Sequence, residues 1–352
     1  MSKFLIERLS SLEEYVPGEQ PQDKKYIKLN TNESPYPPSE AVLNTINRGE
    51  ASRLNLYPDP ACRELTRTFA NLYGVSDDTV VFGNGSDEIL SFIFQAFCDK
   101  NCPAVFPDIS YGFYPVFANL YGVPYEEIPL TEDFKVDYHD YLNKKATVII
   151  ANPNAPTGIF MPLSEIEEIL KSNSGNLVVI DEAYIDFGGE SATKLLPKYD
   201  NLLVVGTYSK SRSMAGARLG FAITSKEIAS DLNKIRFSTN PYNINRLTLL
   251  AGKCAIDDDL YYKENCGKII EDREFLSGEL IKRGFKVLPS KANFIFASSP
   301  TMSGKDFYLS LKERGILVRY FDKERLYPFV RITIGTHGEC ASLISAIDEM
   351  EK

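Results

Sequence analysis

ATVIIANPNAPTG (146–158), NLVVIDEAY (176–184) and LLVVGTYSKSRSMAGAR (202–218) decide the fold of this chain. Each opens on a run of apolar residues with little polar alternation, the pattern of a strand covered on both faces, and each ends on polar groups. TVVFGN (79–84), PAVFP (103–107) and LGFAI (219–223) predict three more strands of the same kind. Amphipathic stretches between them predict helices over 60–73, 86–97, 111–121 and 163–171, the last following Pro162 and carrying Ser164-x-x-Glu167 as a capping pair. This alternation predicts an α/β fold: a mostly parallel central sheet with helices on both faces.

Outward from this block the texture changes. After about residue 241 come long polar helices (242–256, 258–283), then short strands at 285–288, 293–296, 316–319 and 329–334, which predict a smaller α+β unit. Before it, the segment up to Ser34 is rich in Pro, Gly, Asn and Gln, so an extended arm is expected. Tyr15, Tyr26, Ile27, Leu29 and Tyr36 make it more apolar than a disordered tail, as if it runs over something. The expected division is an arm over 1–34, a large α/β domain over 35–245 and a small α+β domain over 246–352.

The 352 residues are 43% hydrophobic and 25% charged, the composition of a folded globular chain of about two domains. A net charge of −9 repels nucleic acid and anionic membrane. The opening MSKFLIERLSSLEEY lacks the apolar core of a signal peptide, no run approaches membrane-spanning length, and a cytoplasmic location is expected. Six cysteines without a CxxC pair read as core residues, and two histidines, His139 and His337, leave little room for a His-ligated metal; none is expected.

Four motifs at strand ends carry the chemistry. Gly83-Asn84-Gly85-Ser86-Asp87-Glu88 is a tight turn feeding a helix whose first amides can hold a phosphate. Asn152-Pro153-Asn154-Ala155-Pro156-Thr157-Gly158 leaves Asn154 able to donate to a phenolate oxygen. Asp181 ends an apolar run, so its carboxylate needs a cation or a protonated ring nitrogen. Ser209-Lys210 through Arg218 offers a strand-end amine able to form a Schiff base, with Ser209 and Arg218 to clamp a phosphate. Each alone has an ordinary reading: a capped helix, a surface turn, a paired acid, a solvated lysine. Together, in this chain order, they fit pyridoxal 5′-phosphate. A dinucleotide-binding oxidoreductase is disfavoured, because there is no GxGxxG. A non-catalytic relative would be free to lose Lys210, which is present.

These motifs resemble the fold-type I, aspartate-aminotransferase-like pyridoxal-phosphate enzymes over nearly the whole chain. The arm motif Lys28-Leu-Asn-Thr-Asn-Glu-Ser-Pro, with Tyr57-Pro-Asp-Pro, Pro241-Tyr-Asn-Ile-Asn, Gly315-Ile-Leu-Val-Arg-Tyr-Phe and Val330-Arg-Ile-Thr-Ile-Gly-Thr, is similar to the histidinol-phosphate aminotransferase family within them. The resemblance implies that Lys210 anchors the cofactor and moves a proton, and that Asp181 pairs with the pyridinium nitrogen. It implies Asn154 and Tyr184 at the ring 3′-oxygen and Tyr111 on the ring face. It implies Ser86, Asp87, Ser209 and Arg218 at the phosphate, with Tyr57 from the neighbouring subunit of a homodimer. Arg331, Tyr15 and Tyr242 would bind substrate, while Arg319 is either a second cation or a strand-end arginine paired with an acid such as Asp322. The stretch HGECASL (337–343) has no arginine where some members carry one. The implied reaction exchanges an amino group between glutamate/2-oxoglutarate and histidinol phosphate/imidazole-acetol phosphate by a ping-pong route through pyridoxamine phosphate. Aromatic amino-acid transamination and threonine-phosphate decarboxylation are the alternatives that the cofactor residues leave open.

Overall fold

Strand register explains the uninterrupted apolar runs. In the computed structural model, which describes residues 5–350, alternate residues of the central strands enter two different cores. The first four residues of the expected arm and the last two of the expected small domain lie outside the described residues. The strands are β1 (Ile27–Lys28), β2 (Val80–Gly83), β3 (Ala104–Pro107), β4 (Tyr125–Ile128), β5 (Thr147–Ala151), β6 (Val178–Asp181), β7 (Leu202–Thr207), β8 (Gly220–Thr224), β9 (Lys286–Val287), β10 (Phe294–Ser298), β11 (Ile316–Leu317), β12 (Arg319–Tyr320) and β13 (Phe329–Thr333). The α-helices are α1 (Glu40–Thr45), α2 (Arg48–Ala51), α3 (Arg63–Tyr73), α4 (Ser86–Phe97), α5 (Phe113–Tyr121), α6 (Leu163–Ser172), α7 (Lys226–Thr239), α8 (Arg246–Asp257), α9 (Asp259–Lys282), α10 (Gly304–Glu313) and α11 (His337–Met350).

Seven strands form the central sheet in the order β2-β8-β7-β6-β5-β3-β4. Only β8 runs against its neighbours β2 and β7, so the sheet is mostly parallel, as expected. Ile149, Val179 and Leu203 pack with α4 and α5 on one face, while Val148, Ile150, Val178, Ile180 and Val204 pack with α6 on the other. Burial on both faces leaves no position for polar alternation. The edge strand β4 escaped the sequence reading because it is Tyr-Glu-Glu-Ile with only Ile128 buried.

A second, antiparallel sheet, β12-β13-β10-β9, shares a core with α9, α10 and α11. The arm is tied to this unit: β1 pairs in parallel with β11, Ile27 opposite Ile316, and Leu29 is 1% exposed in the same core. Helix α8 carries Ala251 and Ala255 into the cluster of Val80, Phe82 and Phe221, beside the central sheet.

Two local expectations are corrected. Helix α6 starts at Leu163 with Pro162 as its N-cap and no side-chain cap bond, so Ser164 lies inside the first turn and does not cap. Helix α3 starts at Arg63 rather than at residue 60, because the Asp59 carboxylate accepts from the amides of Ala61 and Arg63. Among the described residues no helix is long and apolar enough to cross a membrane.

Candidate active site

The C-terminal ends of β5, β6 and β7 lie side by side, Ala151 opposite Asp181 and Asp181 opposite Val205, so the loops that follow them meet at one edge of the sheet. Asp181 is 5% exposed and accepts from the Tyr114 hydroxyl at 2.9 Å and the Ala183 amide at 3.2 Å. Burial raises its carboxyl to about 6, against those two hydrogen bonds. Among the described residues no cation pairs with it. A buried acid that lacks a protein cation is what a protonated ring nitrogen would match. Tyr114 is a residue that the sequence did not single out: it is fully buried, and its hydroxyl finds its partner in Asp181, 67 residues further along the chain.

The phosphate cradle comes from the turn between β2 and α4. Gly85 has φ of 81°, and a Cβ there would lie 2.5 Å from Arg218 Nη2; a Cβ on Gly220 would lie 2.3 Å from the Ser86 nitrogen. Two glycines thus let the guanidinium and β8 approach the first amides of α4, which have no intrahelical partner. Arg218 pairs with Asp87 at 2.8 Å, and Tyr111 donates to the other Asp87 oxygen at 2.6 Å. The Asp87 carboxylate therefore orients Arg218 and Tyr111, and what it offers an anion is its backbone amide. Ser209 is buried, and its hydroxyl shares a 3.0 Å hydrogen bond with Thr207 Oγ1.

Lys210 follows β7. Its Nζ lies 3.5 Å from the Thr31 carbonyl and 5.9 Å from the Tyr184 ring centre. Burial, then the Arg331 charge, lowers its amine to about 8, although Glu33 and Asp87 oppose the shift. Tyr184 accepts from Asn32 Nδ2 at 3.0 Å. Asn154, 2% exposed, already uses its Nδ2 on the Ile109 carbonyl (2.9 Å) and Thr157 Oγ1 (3.1 Å), and accepts from Ser110 at 2.8 Å.

Arg331 sits in the middle of β13, stacked between Phe294 (5.3 Å) and Phe321 (5.6 Å). Its Nη2 donates to the Asn30 carbonyl at 3.1 Å, its buried Nε has no partner, and among the described residues no acid pairs with it. Burial lowers its pKa. Directly across the strand pair stands Arg319, a second cation. Arg319 does not pair with Asp322; it donates to the carbonyls of Val16 (3.0 Å) and Pro17 (3.1 Å) and so fastens the arm. Tyr15, next to that clasp, stacks on Phe113 at 4.3 Å and lies 6.1 Å from Tyr111.

Two expected residues lie apart from this cluster. Tyr57 is 77% exposed and stacks on Tyr242 at 4.4 Å, so Tyr242 does not join Arg331 within one chain. Both are presented outward on one patch.

Pyridoxal phosphate fits these groups: an amine held low enough to lose its proton, an uncompensated buried acid for a ring nitrogen, and helix amides with an arginine for a phosphate. Among the described residues no cluster of three His, Cys, Asp or Glu could hold a metal. A separate cleft of about 400 Å³ lined by Cys62, Asp78, Lys226 and Arg236 contains none of the site residues.

The family description for class I and II aminotransferases matches residues 24–347. A histidinol-phosphate aminotransferase of Clostridium botulinum is 49% identical over 350 residues, covering 99% of each chain, and one of Clostridium acetobutylicum is 50% identical over 349 residues at the same coverage. The crystal structure of a Sinorhizobium meliloti histidinol-phosphate aminotransferase with pyridoxal-5′-phosphate superposes with a TM-score of 0.84 at 25% identity, over 93% of this chain and 91% of that one. With this site geometry and this similarity along its whole length, the chain belongs to the class I and II aminotransferases and, within them, to the histidinol-phosphate aminotransferase family.

Proposed function

We propose that the protein binds pyridoxal 5′-phosphate and transfers an amino group between histidinol phosphate and 2-oxoglutarate, in the cytoplasm, as a step of histidine biosynthesis. The observation that carries this reading is the pairing of a lysine of lowered basicity with a partly buried arginine that, among the described residues, has no acid partner. The bound cofactor supplies an electron sink for the charge that develops at the substrate α-carbon.

The chain's own residues do the rest. Lys210 holds the cofactor and carries the proton to and from the α-carbon, a task suited to an amine near neutral pKa. Asp181 keeps the ring nitrogen protonated, and Tyr114 holds the carboxylate in place. Tyr184 serves the ring 3′-oxygen, Tyr111 the ring face, and Ser86, Asp87, Ser209 and Arg218 the phosphate; Asn154, whose two amide hydrogens are held by Ile109 and Thr157, joins Tyr184 only by giving up the Thr157 hydroxyl. Arg331 binds the carboxylate of glutamate and the phosphate of histidinol phosphate in turn, because one guanidinium fork suits both. Tyr15 closes over it, held by the arm that Arg319 fastens.

The arm (1–34), large domain (35–245) and small domain (246–352) all reach this site. The exposed Tyr57–Tyr242 stack, with Leu54 and Leu56 beside it in sequence and more than half exposed, suits an interface between two copies. In such a homodimer Tyr57 of the partner subunit would complete the phosphate site and Tyr242 of the partner subunit would flank the substrate. Six unpaired cysteines fit a reducing compartment.

Initial rates test the reading. Histidinol phosphate varied at several 2-oxoglutarate concentrations should give parallel double-reciprocal lines, with kcat/KM at least about 10-fold above that for phenylalanine, the margin one well-made charged contact supplies. Preference for phenylalanine, or release of carbon dioxide from threonine phosphate, would contradict it.

Asp181 makes a separate prediction about the cofactor-free protein. Its carboxyl sits at about 6 when folded and near 4 when unfolded, so the folded state is penalised progressively as pH rises from 4 to 6. Asp181→Asn, with Tyr114 turning its hydroxyl to suit the amide, should raise the melting temperature of the cofactor-free protein at pH 7.5. At pH 4 the two proteins should melt together. The gain corresponds to no more than about 3 kcal/mol. Cofactor should then stabilise the wild type more than the variant; thermal melts at both pH values, with and without cofactor, check this.

A further inference from the structure

Three consecutive arm residues touch three different groups of the site. The Asn30 carbonyl accepts from Arg331, the Thr31 carbonyl faces Lys210, and Asn32 Nδ2 donates to the Tyr184 hydroxyl at 3.0 Å. Asn32 is 1% exposed, and its other polar groups are all engaged. Its amide N–H donates to Thr333 Oγ1 (3.0 Å), that hydroxyl donates back to Asn32 Oδ1 (3.0 Å), and its carbonyl accepts from Asn293 Nδ2 (3.2 Å). With Oδ1 committed to Thr333, the side chain presents nitrogen, a donor, to the tyrosine. The backbone has φ of 55°, a conformation that favours Asn or Gly.

The geometry points to Asn32 as a positioning residue for the amino-transfer reaction: by donating to Tyr184 Oη it leaves the tyrosine's own O–H to be given to the cofactor's 3′-oxygen. This rests on the functional reading above and deepens it. A phenol free to turn could direct its proton elsewhere. A phenol that accepts a hydrogen bond is also a stronger donor, because linked hydrogen bonds polarise one another. A donor at the 3′-oxygen competes for the electron pair that would otherwise help the lysine nitrogen retain its proton. Asn32 therefore lowers the pH at which that nitrogen gives up its proton, and with arm strand β1 and strands β10 and β13 behind it, ties that pH to the docked arm. Lys210, Arg331, Asp181 and Asp87 are the charged groups that act on Tyr184, and none changes when Asn32 is replaced by a neutral residue.

The test is a spectrophotometric pH titration of the yellow band in the cofactor-loaded protein, for the wild type, Asn32→Gly, Tyr184→Phe and the double variant. Glycine keeps the positive φ and both backbone hydrogen bonds. Asn32→Gly should move the midpoint up by about half a pH unit. Tyr184→Phe should move it further, and the double variant should match Tyr184→Phe alone. Should Asn32→Gly fail to fold, isosteric Thr333→Val releases the same amide and should shift the midpoint in the same direction. An unchanged midpoint in Asn32→Gly overturns the proposal, as does a shift that persists in full without the Tyr184 hydroxyl. A wild type with no titrating band overturns the functional reading itself, a result distinct from either.

Discussion

Lys210→Ala should lower transamination by about 10⁴-fold or more, the upper end of what a positioned acid–base group contributes, and should remove the covalently held yellow cofactor. The loss follows from position as much as from chemistry. Lys210 is the amine that β7 delivers to the same sheet edge as Asp181, and its lowered pKa comes from burial and Arg331, features a surface lysine lacks. Cofactor should still bind non-covalently, because Asp181, Arg218 and the α4 amides are untouched. Added methylamine should restore part of the rate, since it supplies the missing amine without the tether. Absorbance of the purified variant and its single-turnover rate with histidinol phosphate check both halves. A variant that stays yellow and active would place the reactive amine elsewhere.

The second large effect is expected at Arg331. Arg331→Ala should cut kcat/KM for histidinol phosphate and for glutamate alike by about 10²–10³-fold, the loss of a charge-assisted bidentate contact in a buried setting. The yellow cofactor should remain, because no cofactor group depends on this guanidinium. Stability should change little on balance, since the variant loses the Asn30 hydrogen bond and the packing on Phe294 and Phe321 but no longer desolvates a partly buried cation that has no acid partner among the described residues. The substitution also lifts a charge that lowers the Lys210 pKa, so the free amine of the cofactor-free variant should titrate at higher pH. Loss of cofactor, or a defect confined to one of the two substrates, would contradict the dual role.

What the sequence made legible has a common physical basis. β5, β6 and β7 were readable because burial on both faces demands unbroken apolar runs, and Asp181 and Lys210 because a charge at the end of such a run needs a reason. Gly85 and Gly220 mattered through a close approach that only the folded chain displays; the turn was visible, and the Arg218 contact was not. Tyr114 and Asn32 escaped for a related reason. Their roles are single hydrogen bonds to Asp181 and Tyr184, made by residues far off in the chain, and nothing in the local pattern distinguishes them from a core tyrosine and a loop asparagine. Arg319 is open in the sequence between a second cation and a partner for Asp322, and the fold brings the Val16 and Pro17 carbonyls to it from about 300 residues away. Tyr57 and Tyr242 were legible as members of motifs, but their stacking on an exposed patch is a property of the tertiary structure.

The most direct measurement of the central claim is the visible spectrum of the cofactor-loaded protein before and after histidinol phosphate is added without a keto acid, with phenylalanine and threonine phosphate as parallel additions. The yellow band should be lost stoichiometrically with histidinol phosphate, return on adding 2-oxoglutarate, and respond far less to the other two compounds. A band that ignores histidinol phosphate, or a loaded protein with no such band, would contradict the claim.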